Sequence, residues 1–133
     1  MMSKKMLVCI TEATPEEVVQ AAVKLCSNDT EVYVLHVVHL LSDFIRKEVS
    51  DKFSWVIDLF KKAGLKSQLE IVESTDIKNA IISFAKKNSC DVIVTGTIPR
   101  KGLLGFFSES ISDYLMKNAP CTVILVRKAG QPV

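Results

Sequence analysis

Apolar positions along this chain fall into two alternating rhythms. Lys5 to Ile10 is a short apolar run of strand type. Thr14-Pro15-Glu16-Glu17 follows, combining a capping box with proline at the first helical position. Val18, Ala22, Leu25 and Cys26 then recur at helical spacing, and Ser27-Asn28-Asp29 stops the helix. Glu31 to Val38 is β-branched throughout much of its length and reads as a buried strand. Ser42 is placed to cap a long helix. Ile45, Val49, Phe53, Val56, Ile57 and Phe60 carry its apolar face, and Gly64 ends it. Lys66 to Val72 alternates in part and reads as an outer strand. Ser74-Thr75-Asp76 opens a third helix with Ile77, Ala80, Ile81, Phe84 and Ala85 on one face, and Asn88 suits its end. Asp91 to Thr95, Ser110 to Lys117 and Cys121 to Val126 complete the pattern as strand, helix and strand.

Strands separated by helices imply parallel neighbours joined by right-handed crossovers. The expected fold is therefore α/β, a doubly wound, five-stranded, mainly parallel sheet with two helices on each face. No linker, low-complexity segment or internal repeat interrupts the pattern, so residues 1–133 read as a single domain. Ligands of such sheets sit beyond the carboxyl ends of the strands, where strand order reverses. The loops of interest are Thr11-Glu12-Ala13, the region of His39-Leu40-Leu41, and Gly96 to Ser108.

Composition narrows the function. A net charge of +2 is too small to indicate a nucleic-acid partner. The longest apolar run, Val32 to Leu41, is about half a membrane span and carries two histidines. Met-Met-Ser-Lys-Lys-Met leads directly into a strand pattern, without the apolar segment and small-residue cleavage site of a secretory signal. A soluble, cytoplasmic protein with no membrane or nucleic-acid partner is expected. Cys9, Cys26, Cys90 and Cys121 are widely spaced, form no C-x-x-C pair, and read as small buried hydrophobes.

Catalytic chemistry has little to work with. His36 and His39 are three apart, a spacing that sends them to opposite faces of a strand and suits no shared metal. His36 reads as a core or strand-end residue. Ser108, Ser110 and Ser112 follow a glycine-bearing segment, but no G-x-S-x-G elbow and no Walker loop exist. Neither an enzyme nor a metal protein is expected. Trp55, Phe53 and Phe60 fit core packing. Leu103-Leu104-Gly105-Phe106-Phe107 is different: four large apolar residues in a loop either fold over the sheet edge or mark a contact surface.

The stretch from Asp91 to Arg127 carries the most information. A buried strand ends in Gly96, a basic glycine-bearing loop follows, then a short helix opened by serine, then Pro120 and a second buried strand. Such a loop presents backbone N–H groups to an anion. The segment resembles the closing third of the universal stress protein family. Val34-Leu35-His36-Val37-Val38 is similar to that family's second strand, and Ala119 to Val126 to its last turn and strand. The resemblance implies strand order 3-2-1-4-5, a small cytosolic stress-response protein, and a homodimer joined along the last strand, here Cys121 to Val126. It also implies an ATP site in some members and none in others.

The family's phosphate pattern, Gly-x2-Gly-x9-Gly-Ser/Thr, falls here on Gly96, Pro99, Glu109 and Ser110, so two of its three glycines are absent. Gly102 matches an additional glycine of many members, and Val37 matches the valine after the second-strand histidine. The aspartate that ends the first strand of ATP-binding members, near the nucleoside, is Thr11 here. The residues carried over as a candidate nucleotide or anion site are thus Thr11, Val37, Gly96, Gly102 and Ser110. Each departure has a physical consequence. Proline at 99 has no N–H to donate and a fixed φ. A carboxylate at 109 about 4–5 Å from a phosphate charge repels it by roughly 3–4 kcal/mol at an effective dielectric near 20. Arg100 and Lys101 act in the opposite sense.

Three functions compete on this reading. The first is a non-catalytic, homodimeric stress-type protein with a degenerate nucleotide site and an unidentified protein partner. The second is a nucleotide-binding regulatory switch that grips ATP or another phosphate anion through the Gly96–Ser110 loop. The third, an enzyme of another doubly wound family, lacks a catalytic constellation and stands last.

Overall fold

The computed structural model describes residues 4–96 and 109–127. The elements run β1 (Lys5–Cys9), α1 (Glu16–Leu25), β2 (Glu31–Val38), α2 (Asp43–Lys52), α3 (Ser54–Lys62), β3 (Lys66–Glu73), α4 (Ile77–Lys87), β4 (Val92–Gly96), α5 (Glu109–Asn118) and β5 (Thr122–Val126). The strands form one five-stranded sheet in the order β3-β2-β1-β4-β5. Every neighbouring pair is parallel. Both the alternating pattern and the strand order implied by the resemblance are therefore found.

The sheet is sandwiched between two helical layers because its strands are apolar on both faces. On one face Met6, Val8, Ile10, Val32, Val34 and Val94 pack against Val19 and Ala22 of α1, Val49 of α2, and Val56 and Phe60 of α3. On the other, Leu7, Cys9, Leu35 and Ile93 pack against Ile81, Ile82 and Ala85 of α4 and Leu115 of α5. Phe60 is completely buried, and each such side chain contributes about 1.5–3 kcal/mol through removal from water.

Two local expectations are corrected. The long second helix is two helices, α2 and α3, broken at Phe53, whose φ of −105° and ψ of 13° leave the α region. Phe53 is buried, and its ring lies against His36 with centroids 4.8 Å apart. The break lets α2 turn away while Phe53 stays under it. One sheet face thus carries three helices and the other two. The second correction concerns α1. Thr14 does not cap it. The N-cap is Pro15, in extended conformation and without a side-chain cap bond. The Thr14 hydroxyl is recruited instead by the turn that follows β1, where it accepts the Thr11 N–H at 2.8 Å.

The remaining caps follow the sequence. Ser42 Oγ accepts the Ile45 N–H at 3.1 Å, and Asp76 Oδ1 accepts the Asn79 N–H at 3.3 Å. Gly64, with φ of 76°, closes α3 in the left-handed region, where a side chain is strained. After α4 that conformation falls on Ser89, with φ of 53°.

Candidate functional site

Sheet register brings three of the five candidate residues to one end of the molecule. Cys9 pairs with Leu35 on one side and with Thr95 on the other. β1 ends there; Ile10 and the Thr11 turn follow, while β2 runs on through Val37 and β4 through Gly96. This is the carboxyl end of the strands at the β1–β4 boundary, where the order of connection reverses, so Thr11, Val37 and Gly96 stand where a doubly wound sheet takes ligands. Ser110 is the second residue of α5, whose backbone begins at Glu109. Gly102, Pro99, Arg100, Lys101 and the Leu103–Phe107 segment lie outside the described residues.

The end of β1 is closed by side chains. Ile10 donates its N–H to the Leu35 carbonyl at 3.0 Å. The Ile10 carbonyl lies 3.0 Å from His36 Nδ1. A carbonyl only accepts, so Nδ1 carries the proton. His36 is thereby committed to the strand end, half-buried and packed on Phe53, as its apolar surroundings in the sequence suggested.

Thr11 is equally engaged. Its N–H goes to Thr14 Oγ1, and its carbonyl accepts the Thr14 N–H at 3.1 Å. Its hydroxyl accepts from the Ala13 N–H at 3.3 Å and lies 3.4 Å from Thr14 Oγ1. A tight Thr11–Thr14 turn therefore occupies the groups that a ligand would address.

Sequence reasoning stopped at this turn and missed Lys52. The last residue of α2 reaches back 40 positions in sequence to place Nζ 2.7 Å from Glu12 Oε1. The Lys52 hydrogen bond and charge hold the Glu12 carboxyl below its usual range, with a small further contribution from His36. Both groups are exposed, so the pair adds little stability but sets the charge beside Thr11. Nothing local in the sequence announces the contact, because it depends on the turn at Phe53.

Gly96 has a reason of its own. A Cβ built there would meet Val18 Cγ2 of α1 at 3.1 Å, with the Val126 carbonyl oxygen at 3.8 Å. The close approach of α1 to β4 thus requires a small residue here irrespective of any phosphate. The Thr11 hydroxyl and N–H are thus engaged within their own turn, and α5 begins at Glu109. Among the described residues, no three His, Cys, Asp or Glu side chains are grouped to hold a metal ion, and no helix is long and apolar enough to cross a membrane.

The family model of the universal stress protein family matches residues 2–127. The chain belongs to that family. Among curated relatives, Universal stress protein MJ0531 of Methanocaldococcus jannaschii is 30% identical over 114 residues, which cover 75% of this chain and 66% of that protein. The chain thus spans about two thirds of the length of the curated relative that it matches. Among solved structures, hypothetical protein MJ0577 is similar with a TM-score of 0.79 and 20% identity, covering 98% of this chain and all of its own. The universal stress protein of Archaeoglobus fulgidus in complex with dAMP has a TM-score of 0.73 at 20% identity, with coverage of 94% and 98%. These likenesses show the universal stress protein fold.

Proposed function

We propose that this universal stress protein is a non-catalytic, cytoplasmic homodimer that acts through a protein partner, and that its nucleotide site is degenerate. The observation that carries this reading is Thr11. Where an ATP-binding member places a carboxylate near the nucleoside, this chain has a hydroxyl and an N–H already bonded within the Thr11–Thr14 turn. Glu109 at the first position of α5 acts in the same direction. The dimer reading rests on β5, which stands at the sheet edge with Val123, Ile124, Leu125 and Val126 only half-buried. An apolar edge of this kind invites antiparallel pairing with a second copy.

The second reading is a mononucleotide-responsive switch. The dAMP complex of the Archaeoglobus fulgidus relative favours it, because a single phosphate brings less negative charge toward Glu109 than a triphosphate does. Isothermal titration of the purified protein with AMP, ADP and ATP separates the two, together with an assay for copurifying nucleotide. The degenerate site yields no strong heat with any of them. Binding of AMP well ahead of ATP selects the switch, and submicromolar ATP affinity overturns both.

A further inference from the structure

The four free thiols are not equivalent. Cys9 is fully buried at the far end of β1, in register with Thr95. Cys26 lies on the opposite sheet face, where its thiol donates to the Ala22 carbonyl at 3.3 Å and approaches Met6 Sδ at 3.8 Å. Cys90 and Cys121 share the core between α4, α5 and the sheet. Both stand at the start of neighbouring strands. Val92 pairs with Thr122, which sets Asp91 opposite Cys121 and Cys90 one residue further back. Cys90 leaves the turn after α4 and Cys121 the turn after α5, so the two thiols enter one core cluster from adjoining strand starts. The backbone holds this placement from both sides. The Cys90 N–H bonds to the Ala85 carbonyl at 2.9 Å, and the Asp91 N–H to the Lys5 carbonyl at 2.8 Å.

We propose that Cys90 and Cys121 are a redox-sensitive thiol pair that closes an intramolecular disulfide in the presence of a peroxide. Cys121 is the entry point: its side chain turns to the cluster under α4 and α5 and not along the strand edge that pairs in the dimer, and it is half-buried while Cys90 is 6% exposed. The Cys121 thiolate attacks one peroxide oxygen, the O–O bond breaks, and a sulfenic acid forms with release of water after protonation. Cys90 sulfur then attacks the sulfenyl sulfur, the S–S bond forms, and the S–OH oxygen leaves as a second water. The two thiols lose two electrons and two protons, and the peroxide is reduced by the same amount. Burial raises both thiols, Cys90 to about 11; the Cys121 charge and Asp91 add at Cys90 while Lys5 opposes, and Asp91 adds at Cys121. The pair therefore reacts slowly, as a threshold device and not a general antioxidant. The bond ties the first residue before β5 to the turn before β4, fastening the edge strand at its origin.

The test treats reduced, full-length protein with hydrogen peroxide, then denatures, alkylates and maps it without reductant. Expected are an intact mass lower by two hydrogen atoms, a peptide pair joining Cys90 to Cys121, and reversal by dithiothreitol, with Cys9 and Cys26 fully alkylated. Cys121→Ser and Cys90→Ala each abolish the mass loss, and Cys26→Ser keeps it. Stepwise oxidation of Cys121 to sulfinic acid without a cross-link overturns the proposal, as does a bridge between two chains or a bond persisting in Cys121→Ser. The wild-type map decides on its own if the Cys90 variant fails to fold.

Discussion

Val18 of α1 and Gly96 of β4 meet where the helix packs on the sheet: the methyl carbon Cγ2 of Val18 is 3.1 Å from the point where a Cβ at 96 would stand, so an added methyl must push it aside by a few tenths of an ångström. Gly96→Ala is expected to cost about 1 kcal/mol through overpacking. Val18→Ala alone, at a fully buried position, costs about 2–3 kcal/mol in lost burial and cavity. The double variant should be less destabilised than the sum, by about 0.5–1 kcal/mol, because the smaller residue at 18 admits the new methyl. Chemical denaturation of the four proteins closes the cycle. Strict additivity would mean that the two positions do not share this space.

The degenerate-site reading has a reciprocal test. Thr11→Asp, Pro99→Gly and Glu109→Gly together restore a carboxylate at the end of β1 and remove the proline and the charge from the phosphate pattern. ATP affinity, read by titration at fixed ionic strength, is expected to rise at least roughly tenfold, the larger part from Glu109. An unchanged affinity would place the decisive determinants elsewhere.

Asp76 links α4 to pH. Hydrogen bonds from the Asn79 side chain and N–H hold its carboxyl below the ordinary aspartate range, with Lys78 assisting. A depressed folded-state value means that the charged cap stabilises the fold above the unfolded aspartate range. The contribution is lost as pH falls through the folded value. Asp76→Ala should lower Tm at neutral pH, and the difference from wild type should shrink toward strongly acidic pH. Asp76→Asn, which keeps an acceptor for the helix N–H, should retain most of the neutral-pH stability. Thermal melts across pH check the sign.

Sedimentation at micromolar concentration tests the dimer. Val123→Pro removes one ladder donor from β5 and should dissociate the pair. Circular dichroism must show the variant folded, since β5 also pairs with β4. A folded, still dimeric variant would move the interface off this edge.

The fold was legible because its signals were redundant. Five apolar runs separated by four helix patterns leave few topologies, and apolar residues on both faces of β1, β2 and β4 required two covering layers. The site was legible only in part. The parallel order puts the loop after β1 with Thr11, the end of β2 with Val37 and the end of β4 with Gly96 at one edge of the sheet, and the alternation in the sequence allowed that inference. The Lys52–Glu12 pair was not readable, because it depends on one buried aromatic, Phe53, preferring the His36 ring to continued helix. Thr14 misled for a similar reason. A capping hydroxyl has two N–H groups within reach, and here the turn at Thr11 outcompeted the helix.

The turn at Phe53 also divides the molecule dynamically. Val49 is the one buried residue of α2, whereas α3 buries Val56 and Phe60 completely. Because Phe53 interrupts the helical hydrogen-bond ladder, opening of α2 need not propagate into α3. Backbone amides of α2 should therefore exchange with deuterium through a local event of low free energy, while those of α3 wait for global unfolding. Lys52, the last residue of α2, holds Glu12 beside Thr11, so a ligand or partner that settles on that turn should be visible first as slowed exchange along Asp43–Lys52.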